Sequence, residues 1–71
     1  MKPLRMAVIG AGIMGANHAR VVKQLQTATL TAVVDQDLER AKRAAGMESQ
    51  GVEDLEEVLS DIDAAVVAVP T

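Results

Sequence analysis

The 71 residues include no cysteine, phenylalanine, tryptophan or tyrosine, and only one histidine and two prolines. Without cysteine there is no disulfide framework and no thiolate zinc site, and a single histidine cannot assemble a structural metal centre. The chain is compatible with a reducing cytoplasm. The missing aromatics are the side chains that usually anchor a domain core, and a chain this short has little core to spare. A domain near this size buries only about 60% of its unfolded surface, so modest stability is expected. Positive charge is also scarce. Seven Lys and Arg, scattered along the chain, face ten Asp and Glu, for a formal net charge of −3 and a pI near 4.9. That balance excludes a nucleic-acid surface and an anionic-membrane patch. No apolar run approaches the ~20 residues of a membrane helix. Lys2 and Arg5 before a mostly apolar stretch imitate a signal peptide, but three glycines in six residues oppose its helical segment, each at about 1 kcal/mol relative to alanine. No leader and no anchor is expected.

Hydrophobic residues make up 49% of the chain and charged residues 24%, the composition of one globular domain. The informative stretch is Met6 to Gly15, M-A-V-I-G-A-G-I-M-G, in which an apolar run breaks into Gly10-x-Gly12-x-x-Gly15, with Asp35 following 20 residues after the last glycine. Each part of this pattern has a separate task in binding a dinucleotide. Gly10 allows a tight turn out of a strand, Gly12 lets backbone approach a pyrophosphate, and Gly15 lets the next helix pack closely on the sheet. Free N–H groups at that helix N-terminus then hold the diphosphate without a basic side chain.

The remaining pattern alternates strand and helix, as a parallel α/β sheet requires. A first strand is predicted over 5–9 and a first helix over 13–25, with Gly15, Ala19 and Val22 on its buried stripe and Met14, His18 and Leu25 flanking it. A second strand is predicted over 30–34. Asp37 caps a second helix through Ala45 that turns Leu38, Ala41 and Ala45 inward and Glu39, Arg40, Lys42 and Arg43 to water, and Gly46 ends it. Residues 47–52 have little strand character, so a third strand there is expected to be short, polar and irregular. Asp54 and Glu57 form a capping box for a third helix to Ser60, with Leu55, Val58 and Leu59 buried. Residues 64–69 form a continuous apolar strand closed by Pro70. The expected fold is a three-layer Rossmann half-domain, one unit over 1–71, with a parallel sheet ordered 3-2-1-4.

The runs M-K-P-L-R-M-A-V-I-G-A-G-I-M-G-A-N-H-A-R, T-A-V-V-D-Q-D-L-E-R-A, D-L-E-E-V-L and D-A-A-V-V-A-V-P-T together resemble the N-terminal portion of the Gfo/Idh/MocA oxidoreductases, and they do so in order along nearly the whole chain. The resemblance implies an NAD(P)-dependent sugar or polyol dehydrogenase. It also implies that the lysine of the family's E-K-P motif lies on a later strand and that other acid/base groups lie in a second domain. No catalytic residue is therefore carried over onto these 71 residues, and the family's more regular third strand is lacking, so that the region from Gly46 to Gly51 reads as shortened.

The expected cofactor site comprises Gly10, Gly12, Ile13, Met14 and Gly15 around the pyrophosphate, Asp35 on the adenosine ribose and Gln36 beside the adenine. Val69, Pro70 and Thr71 lie at the carboxyl end of the last strand, beside the switch point where ligands bind in such sheets. The carboxylate of Asp35 would repel a 2′-phosphate, which favours NAD over NADP. Arg40 stands one turn into the second helix, either as a solvated partner of Asp37 or Glu39 or as a contact for that phosphate. FAD uses the same turn and stays open as a third ligand. His18 and the four methionines read as packing residues. Right-handed crossovers put the first two helices on one face and the third on the other, which it cannot fully cover. The last strand is left as an apolar edge, so a twofold homodimer is expected to cover that edge or face. A scaffold that self-associates without ligand is the alternative reading.

Overall fold

The computed structural model describes residues 2–68. Four strands, β1 (Leu4–Ile9), β2 (Ala28–Val34), β3 (Gln50–Val52) and β4 (Ala64–Val67), form one parallel sheet in the order β3-β2-β1-β4. Helix α1 (Ile13–Gln24) links β1 to β2, and α2 (Leu38–Ala45) links β2 to β3. The last crossover consists of two 3-10 turns, Leu55–Glu57 and Leu59–Asp61. This is the expected Rossmann-type half-domain, with every strand ending on the same side of the sheet.

With no aromatics, the core consists of alanine and valine with one leucine, and it splits into two clusters on opposite faces. On the first face Val8, Leu30 and Val33 of the sheet pack against Ala19 and Val22 of α1 and Ala41 and Ala45 of α2. The helices present only small side chains inward, so they lie close to the sheet. On the second face Ala7, Ala32, Val34 and Val52 are sealed by Val58, which is fully buried between the two 3-10 turns. Asp54 and Glu57 form the expected reciprocal capping box. It opens a 3-10 turn and not the α-helix predicted to Ser60. Leu59 is therefore 52% exposed where burial was expected, and Leu55 is only partly buried. The turns bury more of the second face than expected, because Val58 sits over the middle of the sheet. Ala65 and Val67 of β4 remain exposed on it.

Strand β2 departs from simple alternation. The pairing of Met6 with Leu30 is followed directly by that of Ala7 with Ala32, so Thr31 is an extra residue in the ladder. The slip allows Leu30 and Val33, three apart, to share the first face while Ala32 and Val34 share the second. Strand β3 has only three residues, as its polar sequence implied. Its central Gly51 is required by steric contact, since a Cβ there would lie 2.4 Å from the Lys42 amide nitrogen of α2. At the other edge, Arg5 and Asp63 join the starts of β1 and β4. Both guanidinium Nε and Nη2 donate to the Asp63 carboxylate, at 3.2 and 3.0 Å, and the Arg5 amide donates to it at 2.9 Å.

Of the flanking residues of α1, Met14 and Leu25 are 67% and 46% exposed, and His18 is exposed as well. Leu38 of α2 is half-buried. The division between faces can be tested by truncation. Val58→Ala is expected to lower unfolding stability by about 2 kcal/mol through lost apolar contact and a residual cavity. Leu59→Ala should change it by less than about 0.5 kcal/mol, as at an ordinary surface position. Urea denaturation of the two variants measures the difference.

Candidate functional site

The site begins where β1 gives way to α1. Gly10 has φ +102°, a conformation that side chains disfavour, and its amide donates to the Val34 carbonyl at 2.7 Å, extending the sheet by one rung. A Cβ on Gly15 would fall 1.7 Å from the Gly10 carbonyl oxygen. The first turn of α1 is thus pressed against the end of the strand, and any side chain at Gly15 would force the two apart. Gly12 is the N-cap of α1. No side chain caps it, and the first turn carries no acidic residue. In α2, by contrast, Asp37 caps the helix with its own carboxylate, accepting from the Arg40 amide at 3.2 Å. The chain satisfies one helix start with its own carboxylate and leaves the other, at Gly12, without a capping side chain. Ile13 and Met14, 86% and 67% exposed, stand at this open mouth.

Asp35 follows β2 and is fixed by two amides. Its Oδ2 accepts from Ala11 N–H at 2.7 Å and its Oδ1 from Asp37 N–H at 2.8 Å. These bonds hold the carboxyl below the usual carboxylate range, the Asp37 amide contributing most, then that of Ala11, with the charge of Arg40 adding to them and partial burial opposing. Each oxygen keeps acceptor capacity after these bonds, since an ionised carboxylate offers about four lone-pair sites. The Ala11 bond also ties the second strand's acid to the glycine turn, making one rigid unit of the expected ribose acceptor and the expected phosphate donors.

Gln36 is exposed and lines a cavity of about 360 Å³ together with Ile9, Gly10, Val34, Asp35 and Glu53. Glu53 was not among the residues expected here. It arrives because it directly follows β3, and in a parallel sheet all strands deliver their successors to the same rim. A second cavity, of about 430 Å³, lies between the start of α1, at Gly12, Ile13 and Ala16, and Arg40 and Arg43 of α2. Arg40 pairs with Asp37 at 3.6 Å, and its Nη1 lies 4.0 Å from where a Cβ on Gly12 would stand. It is therefore both the half-exposed helix-face ion pair and a neighbour of the glycine turn. Met14 and Gly15 line neither cavity. Val69, Pro70 and Thr71 lie outside the described residues; the last described one, Ala68, donates its N–H to the Ile9 carbonyl at 2.8 Å. A third cavity, about 530 Å³, lies at the amino end of β2 among Lys23, Thr29, Leu30, Met47 and Ser49. That is the end opposite to where ligands bind in such sheets. Among the described residues no group of three His, Cys, Asp or Glu is placed to hold a metal ion, and no helix is long and apolar enough to cross a membrane.

Residues 4–71 match the sequence profile of the Gfo/Idh/MocA oxidoreductase family, NAD-binding Rossmann fold. Inositol 2-dehydrogenase 4 of Saccharopolyspora erythraea is 49% identical over 74 aligned positions, covering 97% of this chain and 22% of that protein. Among solved structures, GenD2 from gentamicin A biosynthesis, in complex with NAD, superposes with a TM-score of 0.88 at 34% identity, covering all of this chain and 21% of that one. A myo-inositol dehydrogenase from Corynebacterium glutamicum gives a TM-score of 0.81 at 31% identity over 96% of this chain and 21% of its own. The chain spans about a fifth of the length of the curated relatives it matches.

The two amide bonds to Asp35 set a pH dependence. A carboxyl depressed in the folded state stabilises the fold above its unfolded pKa, about 3.9. That contribution fades as pH falls from there through the lower folded value. Asp35→Asn, which cannot accept both bonds as an anion does, should be less stable than the parent at pH 7, with the gap closing below about pH 4. Urea midpoints of both proteins across this range test it, and a gap independent of pH would refute the assigned role.

Proposed function

The chain belongs to the Gfo/Idh/MocA oxidoreductase family, whose fold is an NAD-binding Rossmann domain, and from this premise we propose that it is a dinucleotide-binding module holding the ADP part of NAD. One observation carries the reading. The start of α1 has neither a side-chain cap nor an acidic first turn, while the acid that would take the ribose is bonded to the same turn through Ala11. In this reading the amides around Gly12, Ile13 and Met14 hold the pyrophosphate, with Gly10 and Gly15 setting their direction. Asp35 accepts from the adenosine ribose hydroxyls through its remaining lone pairs, and Gln36 borders the adenine. Val69, Pro70 and Thr71, which follow β4 in sequence, are assigned to the adenosine side or the pyrophosphate. The carboxylate of Asp35 disfavours a 2′-phosphate, so NAD is preferred to NADP. The nicotinamide supplies the hydride chemistry. This chain's own residues bind and orient, and none of them is assigned acid/base work.

Residues 1–71 are in this reading one N-terminal half of the cofactor domain. The substrate class comes from the relatives: inositol 2-dehydrogenases suggest the secondary alcohol of a polyol or sugar, oxidised with residues these 71 positions do not contain. A composition without cysteine suits a reducing compartment and supports a cytoplasmic setting. A homodimer is supported by β4, which pairs only with β1 among the described residues and exposes Ala65 and 67% of Val67 beside its open edge.

Two measurements test these proposals. Calorimetric titration with NAD should give saturable binding that Asp35→Ala weakens by roughly 10- to 100-fold, the loss expected for hydrogen bonds to a charged acceptor. No heat and no shift in melting temperature at millimolar NAD would leave a scaffold without ligand. Sedimentation equilibrium should give twice the chain mass at high concentration, and a monomer there would remove the dimer.

A further inference from the structure

The proposed site holds a second carboxylate and a cation whose arrangement bears on which dinucleotide it accepts. Arg40 is a cation that reaches the glycine turn: its Nη1 borders Gly12, and its charge acts on Asp35. A guanidinium in that position is the natural partner for a phosphate on the adenosine ribose, because its planar fork of donors matches phosphate oxygens in pairs. In the structure Arg40 has a carboxylate beside it. Its Nη2 lies 3.6 Å from Asp37 Oδ2, with both side chains half-exposed. Asp37 is itself immobilised, since its Oδ1 accepts from the Arg40 amide as the cap of α2 and its own amide donates to Asp35. One aspartate thus caps the helix and, with its other oxygen, holds the side chain of the residue it caps.

We propose that Asp37 is a specificity-determining residue of this site: by pairing with Arg40 it withholds the guanidinium from a 2′-phosphate, so that discrimination against NADP is set by two carboxylates and not by Asp35 alone. The inference rests on the dinucleotide-binding reading above. Asp37 acts on the ligand by one route: it neutralises the cation that would attract the extra phosphate. Asp35 remains the direct contact to the ribose, and Asp37 is a positioning residue that acts through Arg40.

The test uses Asp37→Ser, because serine caps a helix nearly as well as aspartate and removes the charge without removing the cap. Thermal melts of each variant followed by circular dichroism establish that the fold is retained. Calorimetric titrations with NAD and with NADP then give the ratio of the two affinities. Asp37→Ser should move that ratio toward NADP by about tenfold, the size of a one-charge change near a phosphate in a solvated site. The gain should vanish in Asp37→Ser/Arg40→Gln, since it depends on the freed guanidinium. An unchanged ratio in folded Asp37→Ser that still binds NAD would overturn the inference while leaving the dinucleotide reading intact. A gain that persists without Arg40 would overturn it too, by showing that loss of negative charge alone is responsible. Failure of the parent chain to bind either dinucleotide would remove the dinucleotide reading and this inference with it.

Discussion

The tightest constraint in the molecule is the approach of Gly15 to the carbonyl of Gly10. A single added carbon at Gly15 would stand 1.7 Å from that oxygen, so α1 starts where it does only because no side chain intervenes. Three other features depend on where that helix begins. Gly12 becomes an N-cap without a capping side chain, Ala11 N–H comes within 2.7 Å of Asp35, and the buried stripe of Gly15, Ala19 and Val22 is aligned on the sheet. A helix held this close cannot present large side chains inward. The absence of aromatics and the alanine-rich stripes of both helices are consistent with the same requirement. Gly51 repeats the device at the far edge, where β3 passes the backbone of α2.

Much of this was legible in the sequence because it depends on residues with few alternatives. Glycines at fixed spacing, an acid 20 residues on, Asp37 before an amphipathic run and Gly46 after it each have one local meaning that the fold could adopt without compromise. The strand order came from handedness and alternation. What was illegible depends on contacts between distant parts. The capping box at Asp54 and Glu57 marks a helical start, but it does not distinguish an α-helix from 3-10 turns; here the outcome places Val58 over the sheet and turns Leu59 outward. The slip at Thr31 is invisible because T-L-T-A-V-V offers apolar residues for either face. Glu53 carried no local signal beyond its place after a short strand, and the proximity of Arg40 to Gly12 arises only when two helix starts meet across the end of the sheet.

The charges near the glycine turn form a graded set. The start of α1 offers amides and no carboxylate, Asp35 is a carboxylate already bonded to two amides, and Asp37 is a carboxylate shared between a helix cap and a guanidinium. Backbone donors therefore do most of the electrostatic organisation, and the side chains adjust it. In the function proposed above, such an arrangement would hold an anion chiefly through backbone amides.

The two apolar clusters share the sheet but differ in how they are closed. Two helices seal the side that leads to the glycine turn, whereas the reverse side depends chiefly on one valine held between two short turns. Breathing of the molecule should accordingly be lopsided: the 3-10 segment can peel away and re-seat while the helix-covered half keeps its shape, so order is lost from the back inward.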